Sequence, residues 1–270
     1  MKKSLSNSGF LISFLLVIIQ LSSCEKIGEF FPGHGGNNDN KFCNIRKITT
    51  RFQDLQTGLP DSFVYSFSYN AKGNPLHILT NKQLGNSLYN MHFRYDKRHR
   101  LTTFYSEFNI PGVPLDFFDL HKYGYDSKNR IIKDTFYFSG GSFSDVENGT
   151  KAPIAFYFYE YDHKDRISKV RTINYPGTES EYETIDNYQY DGNGNLIVPG
   201  RVYDNTINMA QTNSIWMFLR RDYSVNNSNE IEKVNRFGLP TLLNWPISPY
   251  TNFLPPAIYL SNSSIAYECN

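Results

Sequence analysis

A short motif recurs about every thirty residues through the middle of the chain, and a regular sequence period of this size predicts an array of like units. Each copy is an aromatic strand end that finishes in Tyr, then a short polar stretch, then a branched aliphatic residue. The copies begin at Tyr69, Tyr95, Tyr125, Tyr161, Tyr190 and, in degraded form, Tyr223. Because a polar turn between two apolar runs is typical of a β-hairpin, we predict a series of hairpins.

The residues before one of these turns show the period of two that a half-buried strand requires. Met91, Phe93 and Tyr95 are apolar or aromatic and occupy every second position. His92 and Arg94, which lie between them, are polar. One face of the strand is therefore predicted to pack against a core, while the other meets solvent.

The polar stretch itself predicts a specific turn. An Asn or Asp follows Tyr in five copies, as Asn70, Asp96, Asp126, Asp162 and Asp191. Such side chains accept hydrogen bonds from the backbone two residues on and begin turns. Four residues after Tyr stand Gly73, His99, Asn129, Asp165 and Gly194. These residue types are the ones found most often at positive φ. We predict a type I turn followed by a left-handed residue, joining antiparallel strands.

Three copies resemble the YD repeat of RHS-type proteins, in which Tyr-Asp, a short polar stretch and an Arg-aliphatic pair recur. They run from Tyr95-Asp96 to Arg100-Leu101, from Tyr125-Asp126 to Arg130-Ile131, and from Tyr161-Asp162 to Arg166-Ile167. The resemblance covers about Phe63 to Val234 and implies a β architecture. RHS proteins use many more copies to enclose a toxin, so the resemblance implies little about activity here.

The N-terminus has the pattern of a secretory signal. Lys2 and Lys3 precede an apolar run from Phe10 to Leu21, which is too short for a membrane span. The following Leu-Ser-Ser-Cys resembles the lipobox of bacterial lipoproteins and implies cleavage before Cys24 and lipid on its sulfur. The alternative is an ordinary signal peptide followed by a cysteine. Acyl chains would hold the protein firmly to a membrane.

These patterns divide the chain into three predicted parts: a lipoprotein signal peptide at 1–23, a flexible tether at 24–42 and a single repeat domain at 43–270. The tether is rich in Gly and Asn without apolar periodicity. With its lipobox and repeats, the chain looks like YD-like lipoproteins of the Bacteroidota. We therefore expect a lipid anchor in a bacterial outer membrane, with periplasmic and surface-facing display both left open.

Cys43 and Cys269 remain in the predicted mature chain. An even number of cysteines in an oxidising compartment permits a disulfide. Asn44–Phe52 and Ser264–Cys269 are expected as first and last strands, and pairing between them would bring the two cysteines together. Two unpaired thiols are the alternative.

Composition narrows both the fold class and the partners. Basic and acidic residues nearly cancel, 27 against 26, which argues against nucleic acid as a partner. Aromatic residues make up 16% of the chain and favour half-buried strands. We predict an all-β fold of successive antiparallel hairpins forming a twisted, curled sheet with little helix, and we leave its partial closure open.

The sequence contains no motif that predicts catalysis or a cofactor. It has no His-Glu-x-x-His and no Cys-x-x-Cys. Asp191–Asn195 resembles the start of a calcium loop, but Leu196 stands where an EF-hand needs Gly. No catalytic residue, metal or cofactor is therefore predicted.

Three aromatic residues outside the repeat pattern are the predicted binding residues: Trp216, Trp245 and Tyr250. Aromatic-rich strands without a catalytic motif favour a non-enzymatic module that binds a glycan or a protein partner at the cell envelope. One alternative is a carbohydrate-active hydrolase whose two carboxylates flank a cleft. A purely structural envelope component is the other.

Overall fold

The computed structural model of this chain describes residues 43–53, 58–81, 89–107, 116–138, 140–228, 231–243 and 262–269. The predicted signal peptide, Cys24 and the tether lie outside these residues. The strands are β1 Cys43–Gln53, β2 Pro60–Tyr69, β3 Pro75–Thr80, β4 Asn90–Tyr95, β5 Leu101–Glu107, β6 Asp119–Tyr125, β7 Ile131–Tyr137, β8 Ala155–Tyr161, β9 Ile167–Asn174, β10 Tyr182–Asn187, β11 Tyr203–Ile207, β12 Asn226–Ser228, β13 Ile231–Val234, β14 Pro240–Leu243 and β15 Ser263–Cys269. The helices are α1 Phe143–Glu147, a 3-10 helix Met209–Thr212 and α2 Ser214–Arg220.

Thirteen strands form one antiparallel sheet, and this confirms the predicted all-β fold. The order is β10-β9-β8-β7-β6-β5-β4-β3-β2-β1-β15-β14-β13, so β1 to β10 follow one another in sequence order, and so do β13 to β15, with β15 beside β1. The sheet is open, with β10 and β13 as its edges. Strands β11 and β12 form a separate pair. Within the described residues, no helix has the length and apolarity needed to cross a membrane.

The hairpin turns have the predicted geometry. In the turn after β4, His99 N–H donates to the Asp96 carbonyl at 3.0 Å, and Asp96 N–H donates to the Arg100 carbonyl at 2.9 Å. The φ of His99 is 60°. Positive φ recurs at the same place in the other turns, at Gly73, Asn129, Asp165, Gly194 and Gly238. The turn is thus determined by local side-chain and backbone chemistry rather than by distant packing.

The sixth turn lies later in the chain than Tyr223. Asn235 N–H donates to the Leu239 carbonyl at 2.9 Å, and Gly238 N–H donates to the Asn235 carbonyl at 3.0 Å. Val234 therefore occupies the position of the repeat tyrosine. Tyr223 instead precedes β12 and packs on the core.

One face of the sheet, here the inner face, packs against the 3-10 helix and α2. Trp216 of α2 is fully buried there, with its ring centroid 5.8 Å from that of Phe67 and 5.6 Å from that of Phe93. Asn213 caps α2 by accepting from Ile215 N–H at 3.0 Å. Because every second residue of β2 and β4 points inward, the repeats supply most of this core.

Two segments expected as irregular contain regular structure. The stretch 139–151 is rich in Gly, Ser and Asn, which predicts an exposed loop, but it includes α1, whose first turn is fixed by a capping box between Ser142 and Asp145. The prolines of the stretch 237–256 predict that it holds no central strand, but β14 lies between β13 and β15. Pro240 is the first residue of β14, where a missing N–H is tolerated.

The first and last strands pair as antiparallel neighbours, and Cys43 lies opposite Cys269. The two sulfurs form a disulfide. The bridge closes the end of the β15–β1 pair at the same end of the sheet as the hairpin turns. It occupies the place that a turn occupies in the other hairpins.

Candidate functional site

The turns of the main sheet stand side by side at one end, and we call them the turn row: 70–74, 96–100, 126–130, 162–166 and 235–239. In the second turn, Asp96 Oδ1 accepts from the N–H groups of Arg98 at 2.8 Å and Arg100 at 2.9 Å. The Arg100 Nε donates to Asp96 Oδ2 at 2.8 Å. The carboxylate thus holds the loop from both ends, which explains why Asp and Arg recur at this spacing.

The same residues also join each repeat to the next. Tyr125 donates its hydroxyl to the Leu101 carbonyl at 2.7 Å, and the Arg100 guanidinium lies 4.7 Å from the Tyr125 ring centroid. Tyr161 repeats the first contact with the Ile131 carbonyl at 2.6 Å. The Tyr of one repeat therefore contacts the Arg and the aliphatic residue of the preceding repeat, through a cation–π contact and a hydrogen bond.

This link continues across the chain ends. Tyr69 donates to the Ile45 carbonyl at 2.8 Å, and Tyr267 donates to the Pro240 carbonyl at 2.8 Å. The β15–β1 pair is thus a split repeat, with the disulfide in place of its turn. Val234 lies on β13, the edge strand, so no earlier hairpin offers a carbonyl to a tyrosine there.

Two arginines of the turn row bind residues of the neighbouring turn. Arg130 Nη1 lies 2.8 Å from Asp165 Oδ1 in the next turn, and Arg98 donates to Asn129 Oδ1 at 3.2 Å. Burial raises the pKa of Asp126, but hydrogen bonds from the backbone and side chain of Arg130 outweigh it and lower that pKa below its usual value. The row is therefore chiefly structural.

A buried polar cluster lies where the end of α2 meets the inner face. His121 Nδ1 lies 2.9 Å from Asp134 Oδ2, and the Tyr159 hydroxyl donates to the same oxygen at 3.4 Å. Arg221, with φ 52° at the end of α2, lies 4.8 Å from the Tyr157 ring centroid. Burial acts to lower the pKa of His121, but the charge and hydrogen bond of Asp134 raise it overall. The Asp134 side chain is only 5% exposed, and Arg221 contacts the sheet beside it. The cluster therefore joins the end of α2 to the inner face of the sheet.

On the outer face of the sheet, a cationic side chain from a neighbouring strand lies over each of two phenyl rings. Lys133 Nζ lies 4.7 Å from the Phe156 ring centroid, and the Arg171 guanidinium lies 4.5 Å from that of Phe158. The ring centroids of Phe156 and Phe158 are 6.4 Å apart. Lys133 is exposed and the other three are half-buried. These four residues, the cation–phenyl strip, present flat apolar surface beside positive charge.

The strip borders an exposed edge. All six residues of β10 are exposed, with Tyr182 at 53% and Ile185 at 50%. Ile185 lies opposite Arg171 in the register of β9 and β10. The strip and the edge strand therefore form one continuous surface on four adjacent strands, β7 to β10.

The predicted binding aromatics do not form this surface. Trp216 has no exposed area, and this corrects the prediction that it binds a ligand, because its ring fills the core beneath the repeats. Trp245 and Tyr250 lie outside the described residues. The strip cannot be recognised in the sequence because Lys133 and Arg171 come from different hairpins. Only the alternation of Phe156 and Phe158 is visible locally.

The histidines that the structure describes form contacts in pairs rather than a metal centre. His77 Nδ1 lies 2.8 Å from His92 Nδ1, and His92 Nε2 lies 3.1 Å from Glu107 Oε2. Burial lowers the pKa of His92 and favours its neutral ring. Across the described ranges, no group of three or more His, Cys, Asp or Glu side chains could hold a metal ion.

A cavity of about 190 Å³ lies near the β13 edge of the sheet. It is lined by Arg51, Glu232, Leu242, Leu243 and Asn262.

No protein-family model matches the chain, and no curated protein matches it. Solved structures similar to it include TcdB2-TccC3-TEV, with 14% identity and a TM-score of 0.29 over 55% of this chain and 8% of that one. TcdB2-TccC3 gives 15% identity and a TM-score of 0.30 over 54% and 9% of the two chains. A porin-like protein from Bacteroides uniformis ATCC 8492 gives 9% identity and a TM-score of 0.33 over 84% and 98%. The chain thus spans less than a tenth of the two TcdB2-TccC3 structures.

Proposed function

We propose that this chain is a cell-envelope lipoprotein, held in a bacterial outer membrane by lipid on Cys24, that binds a glycan or a protein partner without catalysing a reaction. The observation that carries the binding function is the cation–phenyl strip. Half-buried rings offer apolar area, and Lys133 offers exposed positive charge beside it, while Arg171, which is ion-paired with Glu183, keeps its guanidinium over the ring of Phe158. Rigid neighbouring strands hold all four side chains, so binding requires little ordering of the surface.

The anchor is proposed from the Leu-Ser-Ser-Cys pattern and is tested separately from binding. Metabolic labelling with an alkyne fatty acid is expected to label the parent protein and to leave Cys24→Ala unlabelled. Cys24→Ala is also expected to leave the membrane fraction. Equal labelling of both proteins would contradict lipidation at this residue.

The binding function is tested with the mature lipidated protein in detergent. The protein would be applied to glycan arrays. It would also be immobilised and exposed to purified envelope glycans and proteins from the cells that produce it. Phe156→Ala with Phe158→Ala is expected to weaken capture by at least about tenfold, because both rings are removed from the strip. Phe138→Ala is the matched control, since Phe138 is 41% exposed but packs near Phe118, away from the strip.

The result that would overturn the proposal is equal capture by the parent and the double variant, or no capture by either. Folding of each variant is checked by urea unfolding. A hydrolase instead predicts release of product from a captured glycan, measured by mass spectrometry of the reaction mixture.

A further inference from the structure

The edge strand β10 offers unused backbone groups at known positions. Tyr188 N–H donates to the Ser168 carbonyl at 2.8 Å, which makes these two residues a hydrogen-bonded pair of the ladder. Antiparallel pairs alternate between hydrogen-bonded and non-hydrogen-bonded along the strands. In the register that pairs Asn187 with Lys169, the backbone groups of Glu183, Ile185 and Asn187 therefore point outward from the sheet.

The edge strand and the segments that flank it in sequence carry only acidic charge, and the two cations opposite β10 on β9, Lys169 and Arg171, are ion-paired with Glu160 and Glu183. The segment from 172 to 200 contains five acidic residues and no Lys, Arg or His: Glu179, Glu181, Glu183, Asp186 and Asp191. Of the residues on β10, Glu183 forms an ion pair with Arg171 at 3.0 Å. Asp186 is exposed and lies opposite Val170. The edge thus repels a second copy of itself but attracts a positively charged strand.

The two faces of β10 differ in charge and polarity, and this difference favours a particular alternation of side chains in any strand added beside β10. Asp186 and Tyr182 lie on the inner face, because Asp186 is opposite the core residue Val170. Ile185 lies on the outer face, opposite Arg171. A strand added beside β10 would place alternate side chains next to these two environments. Cationic side chains suit the face of Asp186, and apolar side chains suit the face of Ile185.

We propose that β10 receives an extended polypeptide segment as an additional strand, one in which Lys or Arg alternates with an apolar residue. The backbone of the segment pairs with the outward groups of β10, and its cations lie beside Asp186. This inference rests on the proposed binding function and names a protein segment, rather than a glycan, as the ligand at the edge.

The test uses the mature lipidated protein and a short fluorescent peptide in which Lys alternates with Val. Fluorescence anisotropy is expected to show saturable binding that weakens with salt. The same peptide N-methylated on alternate residues cannot pair along one side and is expected to bind at least about tenfold more weakly. Amide hydrogen exchange is expected to slow at Glu183, Ile185 and Asn187 when the unmodified peptide is added.

Variants of the protein locate the contact. Ile185→Pro removes an outward N–H without removing a ladder bond and is expected to weaken peptide binding at least about tenfold, whereas Ile185→Val keeps the N–H and binds like the parent. Asp186→Lys reverses the charge and is expected to weaken binding about three- to tenfold, mostly through slower association. The result with Asp186→Lys can be interpreted even if Ile185→Pro does not fold.

Three outcomes would overturn the proposal. One is unchanged binding of the peptide to Ile185→Pro and Asp186→Lys, which would place the contact elsewhere. Another is no binding to the parent protein. The third is concentration-dependent self-association that Ile185→Pro abolishes. Capture of a glycan or protein through Phe156 and Phe158 would survive each of these results, so failure at the edge is distinguishable from failure of the proposed function.

Discussion

The two ends of the sheet are built in different ways. At the turn-row end, hairpins close with five-residue turns of one backbone geometry, each with a residue at positive φ. At the opposite end, which we call the variable end, the connections differ in length and content, and one of them contains α1. The repeat thus determines one end through local chemistry. Chain-specific structure is concentrated at the other end and on the segment 209–221 that covers the inner face.

The largest expected loss of stability comes from removing the disulfide that closes the split repeat at the turn-row end. Cys269→Ser removes a bridge between residues 226 apart in sequence, and is expected to lower the free energy of unfolding by about 3–5 kcal/mol in the chain-entropy account. Urea unfolding of Cys269→Ser, compared with the parent under oxidising and reducing conditions, measures it. Reduction should destabilise the parent to the level of the variant. A parent that is indifferent to reductant would show that the turn-row end needs no covalent closure there.

The next effect concerns backbone strain in a turn. Asn129 has a φ of 61°, and Asn129→Val places a β-branched side chain in the left-handed region, with an expected cost of about 1–2 kcal/mol. The control at the variable end is Ser180→Val, an exposed position, expected to change stability by less than about 0.5 kcal/mol. Urea midpoints of the two variants give the comparison. Similar midpoints would mean that the turn-row end is no more constrained than the variable end.

The hydrogen bond between repeats is expected to contribute less. Tyr161→Phe removes the donor to the Ile131 carbonyl and should cost about 1 kcal/mol, since the ring and its packing are kept. Tyr182→Phe removes the same hydroxyl from an exposed ring at the sheet edge and is expected to be neutral. Both are measured by thermal and urea unfolding. A loss with Tyr182→Phe as large as that with Tyr161→Phe would contradict a special role for the repeat tyrosine.

Acid should weaken the turn-row end through its aspartates. Burial raises the pKa of Asp162, but hydrogen bonds from the side chain and backbone of Arg166 lower it overall. A lowered pKa in the folded state stabilises the protein above the unfolded pKa of about 4, and this stabilisation is lost as the pH falls through the folded value. Asp162→Asn should therefore show a smaller loss of stability below about pH 4 than the parent. Glu179→Gln controls for removal of one charge, and an identical acid dependence of Asp162→Asn and the parent would argue against the mechanism.

The sequence predicts the parts of the fold whose structure is local. The Asx residue and the left-handed residue lie within one turn, so Asp96 and His99 predict that turn by themselves. The sequence does not predict features whose cause lies in another strand. Val234 replaces the repeat tyrosine because β13 is an edge strand, a fact that only the sheet order reveals.

The candidate binding surface shows the same division. The sequence makes Phe156 and Phe158 visible as a pair on one face of a strand, but it does not show that Lys133 and Arg171 from other strands lie over their rings. The sequence predicts Trp216 as a binding residue because it stands outside the repeat pattern. It stands outside the pattern because α2 packs it against the repeats. An aromatic residue that departs from a repeat is therefore as much a candidate for covering the core as for binding a ligand.

The smallest expected effect tests why the left-handed position tolerates several residue types. His99→Gly relieves the strain of a side chain at φ 60°, which favours folding by about 1 kcal/mol, but adds backbone freedom to the unfolded chain, which opposes it by about 0.5–1 kcal/mol. The two terms nearly cancel, so a net change within about 0.5 kcal/mol is expected in urea unfolding. Ser180→Gly at the variable end has only the second term, because its φ is not positive, and should be destabilising. This near balance explains why Gly, His, Asn and Asp all occupy the same position of the turn, and a large gain from His99→Gly would show that the turn is more strained than its hydrogen bonds indicate.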